Sequence, residues 1–349
     1  NIPWLDRDRL LGDWAGIRTE AEAGGIELDA TAILDFGFVL DGGLDRRGED
    51  VRALDLNLTM DLGWLGLGEN LTLFADMYSI SRGTIDGAVG TAQGLSNIET
   101  GASIDQLAEI WLQWILLENR LRVKVGKIEA NSEFAAVDAA GEFLNPSAGF
   151  SPTIAGFPTF PDPSFGVVLA GRLSDRLTLT AGLFDGAAGV DGVPTGRRGP
   201  KTLFDDEKSD DLFLMAEAGL DWSAGDAARP GRATLGLWHH TGDWARFDGG
   251  TEDGTTGFIA TVQQQVWSPS DAAEETGGLN VFGQYGWADG DVSAVEHHLA
   301  AGLWLEGTFP GREADGAGLY ATLAALSSDS GADSDEWIIE GTYRLHLLN

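Results

Sequence analysis

Residues 54–62 read LDLNLTMDL, so Leu54, Leu56, Leu58, Met60 and Leu62 share one face while Asp55, Asn57, Thr59 and Asp61 share the other. Only an extended strand gives a period of two, and this one has a wholly apolar side. The alternation returns at 26–40, 52–64, 70–80, 106–117, 120–128, 164–173, 176–185, 211–222, 231–244, 258–267, 278–287, 296–308, 317–327 and 336–348. That makes fourteen expected strands, most of them near or above the roughly 9 to 11 residues with which a tilted strand crosses a bilayer.

The connections alternate as well. Links at 65–70, 117–119 and 174–176 are short, whereas 41–51, 81–105, 129–163, 186–210 and 245–257 are long and rich in Gly, Asp and Pro, a contrast that weakens later in the chain. Short turns on one rim and long loops on the other describe an antiparallel up-and-down transmembrane β-barrel with periplasmic and extracellular ends. A β-sandwich also alternates, but its strands usually run only about 5 to 6 residues. Trp64, Trp222, Trp267 and Trp287 sit near strand ends, as an aromatic girdle requires, although tryptophan caps other sheets too.

Composition removes other classes. With 55 acidic against 22 basic residues, nucleic acid is excluded as a partner. There is no cysteine and no apolar run of helix-spanning length, and the chain starts without a charged n-region and apolar h-region, so any secretory signal has already been removed or never existed. Acidic stretches such as DGGLDRRGED and DDEKSDD read as solvated loops, because no fixed ligand spacing supports a divalent-cation site. No cofactor or metal is expected.

The segment RLRVKVGKI at 120–128 orients the wall: Leu121, Val123 and Val125 face lipid, and Arg122 and Lys124 face the lumen. A cation turned toward the bilayer midplane would cost about 2 to 4 kcal/mol. The same rule sends Asp29, Asp35, Asp55, Asp61, Asp76, Glu109, Gln113, Arg172, Glu217, Glu340 and Arg344 inward, each either as a wall ion pair or as a solute contact. Arg122, Glu109 and Gln113 beside Trp111 or Trp238 would suit a sugar, whose hydroxyls need planar donors and acceptors and whose C–H faces pack on rings. Weak, repeated contacts serve conduction better than one tight site.

LLGDWAGIRTEAEAGGIEL near the N-terminus, RLRVKVGKIEANSEFA at 120–135, GEFLNPSAGF at 141–150, FGVVLAGRLSDRLTLTAGLFDG at 165–186, GLNVFGQYGWADGD at 278–291 and EWIIEGTYRLHL at 336–347 resemble the carbohydrate-selective porins of the OprB type, in order along nearly the whole chain. The resemblance implies a sixteen-stranded outer-membrane barrel that passes sugars by facilitated diffusion through a lumen narrowed by an infolded loop. It places Arg122, Lys124 and Lys127 on the basic strand before that loop, although Lys127 is out of phase unless the strand bulges. It has Asn131, Glu133 and Phe134 open the loop, and Phe143, Leu144 and Asn145 continue it. Gln284 stands where such porins often carry arginine, which implies a less cationic pore. Because the chain stops directly after strand fourteen at Asn349, the complete product is expected to continue by two strands.

Two regions follow: 1–25, a periplasmic segment with a short helix between Asp13 as N-cap and Gly24 or Gly25 as C-cap, and 26–349, the barrel. Within the barrel, the five phenylalanines interleaved with prolines at 129–163 need a surface to bury against, and the lumen is nearest, so this segment reads as the constriction loop. The expected function is passive, carbohydrate-selective diffusion in contact with outer-membrane lipid and lipopolysaccharide; the alternative is a general or cation-preferring diffusion porin. Monomer and homo-oligomer are both open. An enzyme is not expected, since His239, His240, His297, His298 and His346 have no nucleophile elbow or metal spacing around them.

Overall fold

In a computed structural model, residues 9, 11–186, 193–199, 211–269 and 277–347 are described. Lys201, Lys208, the acidic residues 205–210 and Asn349 lie outside them. All fourteen expected strands form: β1 Ile26–Phe38, β2 Gly48–Asp61, β3 Leu71–Ile80, β4 Ile104–Leu116, β5 Leu121–Ile128, β6 Ser164–Arg172, β7 Leu177–Asp185, β8 Leu212–Ala224, β9 Arg229–Ala245, β10 Thr251–Trp267, β11 Gly278–Ala288, β12 Val295–Glu306, β13 Gly316–Leu326 and β14 Glu336–Arg344. They make one sheet in which each strand pairs antiparallel with its sequence neighbours. Among the described residues, β1 pairs with β2 and β14 pairs with β13.

The outer face is apolar. Leu54, Leu56, Val125, Val167, Leu169, Leu237, Val262, Leu299 and Leu319 are exposed on it, and in register they form cross-strand rows such as Leu112–Val125–Val167. At its borders Trp222 donates to Gln264 (2.6 Å) and Trp287 packs on Phe258 (centroids 6.0 Å apart). Among the described residues, no helix is long and apolar enough to cross a membrane.

Two expectations need correction. The long loop expected at 245–257 is short, because β9 and β10 extend to Ala245 and from Thr251; a bulge at Gly254, whose φ is +82°, shifts the register between Asp253 and Thr255. The N-terminal helix α1 spans Ile17–Ala23 and has Gly16, not Asp13, at its N-cap. Asp13 instead accepts the Thr19 amide (3.0 Å) and hydroxyl (2.7 Å) from before a 3₁₀ turn at Trp14–Gly16, while Gly24 closes the helix as expected.

Replacing Val125 by arginine puts a cation among Leu112 and Val167 on the lipid side and is expected to cost about 2 kcal/mol of barrel stability. Urea titration of the folded form in detergent or lipid, read by heat-modifiable gel mobility, measures this. An unchanged midpoint would show that Val125 does not face lipid.

Candidate functional site

Segment 129–163 leaves β5, crosses the lumen and returns to β6. Its apolar residues fall on three parts of the inner wall. Phe134, Ala135, Ile154 and Phe157 pack with Val168, Phe184, Phe213, Met215, Trp238 and Ile259. Val137, Ala140, Phe143 and Ala148 pack with Phe282, Ala300, Trp304 and Tyr320, and Phe160 joins Val51, Tyr78 and Ile104. Phe134 is 0% and Phe143 2% exposed, so each contributes about 2 kcal/mol by burial. Glycines on the wall make the seats: a Cβ on Gly182 would come within 2.8 Å of Phe134, and one on Gly318 within 2.7 Å of Phe143.

A loop inside a barrel carries amide N–H groups with no ladder to bond to, and carboxylates on the wall supply acceptors for them. Glu109 accepts the Glu129 amide at 2.7 Å, and Glu129 in turn accepts the Phe160 amide and the Thr159 hydroxyl, closing the loop's root. Glu217 accepts from Ala135 at 2.8 Å. On β14, Glu340 takes the amides of Leu144 and Asn145, and Glu336, four residues earlier, takes those of Ala92 and Gln93. The latter two belong to a second infolded segment, 81–103, which contains helix α2 (Ile85–Val89) and also reaches Asp35 of β1 through Ser96 (2.6 Å). Asn145 joins the two segments: its Nδ2 donates to Gly94 O, and its Oδ1 caps helix α3 (Pro146–Gly149).

On the basic strand, Glu133 is bound in bidentate fashion by Arg122 (2.9 and 2.5 Å) and also by Lys124. Lys124 further lies over the ring of Trp111 at 4.0 Å, and Trp111 also stacks on Phe74 with centroids 4.8 Å apart. The Lys124 side chain is only 8% exposed and that of Glu133 2%, so Lys124 is a latch for the loop and not the open pore cation that its position in the strand led one to expect. Arg122 keeps a partly open guanidinium that also reaches Gln113 (3.4 Å).

The other expected site residues divide in the same way. Trp238 is 2% exposed beneath the loop and cannot stack a passing sugar, which corrects that expectation; Phe134 and Asn145 are buried too. Lys127 is buried and donates to Gln106 and the Leu107 carbonyl, brought into reach where Gly126 takes φ +147° and Ala108 bulges out of the β3–β4 register. Asn131 bonds within the loop to Phe134 O. Arg344 pairs with Glu142 of the loop and Glu306 of β12, so it too is an anchor. Asp76 sits in register between Asn57 and Glu109 on the half-exposed inner wall, and Arg172 lines a cavity of about 970 Å³ below the loop. Glu217, expected inward as an ion pair or a solute contact, is instead an acceptor for the loop, and Glu336 and the seating glycines were absent from the expected site, although inward carboxylates and inward glycines at period-two positions are visible in the sequence.

A sheet of transmembrane strands with an oily outside, a charged inside and a loop pinned across the lumen defines an outer-membrane porin. The chain belongs to the carbohydrate-selective porins of the OprB family, whose model matches residues 47–349. It is 24% identical over 330 residues to a putative porin, QuiX, of Acinetobacter baylyi, spanning 90% of this chain and 73% of that one. The high-pH structure of Pseudomonas putida OprB superposes with a TM-score of 0.81 at 18% identity, over 93% of this chain and 81% of that one. The low-pH structure of the same protein gives 0.61 at 16% identity, over 98% and 90%. The chain is therefore a channel for passive diffusion of sugars across the outer membrane, and not an enzyme.

Burial pushes the Glu133 carboxyl up, but the Arg122 hydrogen bond and the charges of Lys124 and Arg122 outweigh it, so the group titrates below the ordinary glutamate value. A carboxyl held low in the folded state stabilises fully above its unfolded pKa, and that contribution disappears as pH falls through the lower folded value. The latch is thus expected to hold from neutral pH to the ordinary glutamate range and to release only in stronger acid. Single-channel recordings should show rising current noise below that range, with no such acid step in Glu133→Gln, which is already unlatched. An acid step of equal size in the variant would assign the titration to another group.

Proposed function

We propose that sugars cross this channel between the inner wall of β2–β5 and the adjacent flank of the infolded loop. One observation carries this reading. Behind the loop, the wall from β6 to β13 is largely buried by Phe134, Phe143 and their partners, whereas Asp55, Asn57, Asp76, Gln113 and Arg122 stay half-exposed on the other side. Carboxylates only accept hydrogen bonds and a guanidinium only donates them, while a sugar hydroxyl does both. A polyol passing along this wall therefore meets acceptors at Asp76 and donors at Arg122 in turn, without bringing a charge of its own. Phe74, stacked on Trp111, adds an apolar ring on the same wall for the C–H face of the solute. Because Arg122 is already committed in part to Glu133, its grip on a sugar is weak enough for release.

Replacing Arg122 by alanine removes the donor side of this passage and leaves Asp55 and Asp76. The variant is expected to shift toward cations in reversal potential and to lose about threefold or more of the glucose-induced reduction in ion current, since lumen substitutions tune selectivity. Planar-bilayer recordings with salt gradients and millimolar-range glucose measure both. If sugar response and ion selectivity both match wild type, sugars take another route.

A further inference from the structure

Below the loop, the 970 Å³ cavity is lined by four arginines, Arg120, Arg122, Arg172 and Arg232, and by six carboxylates, of which Glu142 and Glu306 pair with Arg344, Glu217 accepts the Ala135 amide and Asp138 accepts from Gln263. Arg122 holds Glu133 and Arg232 holds Asp221. The other two are different. Arg120 ends the short turn before β5 and Arg172 closes β6, and they face each other directly across the two strands, with the Arg172 amide donating to the Arg120 carbonyl at 2.8 Å. Both are exposed, and among the described residues neither guanidinium forms an ion pair or hydrogen bond. The acidic residues of the neighbouring turns, Glu118 and Asp175, do not pair with them.

Like charges directly opposite one another in a sheet are unfavourable, and a chain with 55 carboxyl groups had acidic partners to spare for both. Two adjacent guanidinium forks without a carboxylate present the geometry that recognises an oxyanion in bidentate fashion. Asn280 lines the same cavity and offers an amide to hydroxyl groups, while Gln263 beside it is bonded to the loop at Ala139 and Asp138.

We infer that Arg120 and Arg172 form a binding site for the oxyanion of an acidic sugar, a polyhydroxylated carboxylate or a sugar phosphate, in the vestibule on the short-turn side of the constriction. This rests on the pore reading above and extends it: neutral sugars use the constriction, and acidic ones gain a second contact beyond it. Local concentration of the anion raises its entry from that side.

Liposome swelling with the full chain tests it, using glucose, gluconate and glucose 6-phosphate as probes, in wild type, Arg120→Gln/Arg172→Gln and Arg120→Lys/Arg172→Lys. The expected result is a fall of about threefold in the gluconate-to-glucose rate ratio in the glutamine variant, with the glucose rate kept and the lysine variant between the two. If glucose 6-phosphate follows gluconate, the site reads any oxyanion; if it does not, the site reads carboxylates. A ratio equal in wild type and the glutamine variant overturns the inference. Wild-type liposomes that pass none of the three would instead overturn the pore reading. Should the double variant fail to insert, Arg172→Gln alone is read by the same ratio.

Discussion

A peptide segment placed inside a barrel meets a wall whose backbone groups are already paired with one another. Its amides must find acceptors among the wall's side chains or in water, and a buried amide without one costs about 1 to 3 kcal/mol. Here the wall answers with glutamates. Glu109, Glu217, Glu336 and Glu340 each present acceptor-only oxygens to loop N–H groups, at positions spread from β4 to β14. The narrow pore exists because these bonds hold two segments across a lumen that would otherwise be wide. Aromatic burial adds energy to the arrangement, and the carboxylates set where each stretch of loop lies.

This changes the meaning of the acidic interior. Counted as pore charge, the inward carboxylates would make a strongly cation-attracting channel. Most of them are instead committed: Glu133 to Arg122 and Lys124, Glu306 and Glu142 to Arg344, Asp221 to Arg232, and the four glutamates above to amides. The residues left half-exposed on β2–β5 include both signs, which suits a neutral, hydroxyl-rich solute. Lys124 shows the same economy on the basic side, since one ammonium group serves a carboxylate and an aromatic ring together.

The period-two pattern made the wall legible, because lipid outside and charge inside leave few choices at each position. Val125, Arg122, Asp76 and Arg172 all face as alternation requires. Side-chain roles within the lumen were harder to read. Trp238 and Arg122 are both inward by phase, yet one lies under the loop and the other beside it, and phase carries no information on which strands a loop will cover. Lys127 shows a second limit, for two local irregularities at Gly126 and Ala108 return an out-of-phase cation to a buried place. Glu336 and Glu340 were ambiguous for a third reason: their partners are amides more than 190 residues away, and a backbone donor has no residue type to search for.

Those distances also give the constriction a place in time. Leu144 waits for Glu340 across 196 positions, Ala92 for Glu336 across 244, and Glu142 for Arg344 across 202. Contacts of such separation form late, because long stretches of chain must be ordered before they close. A wall without β14 still holds the loop at Glu109, Glu217 and the Arg122–Lys124 latch, but it offers no acceptor to the amides of Ala92, Gln93, Leu144 and Asn145. The pore's calibre thus reports on assembly, because only a wall with β14 in place completes the pinning at residues 92–93 and 144–145.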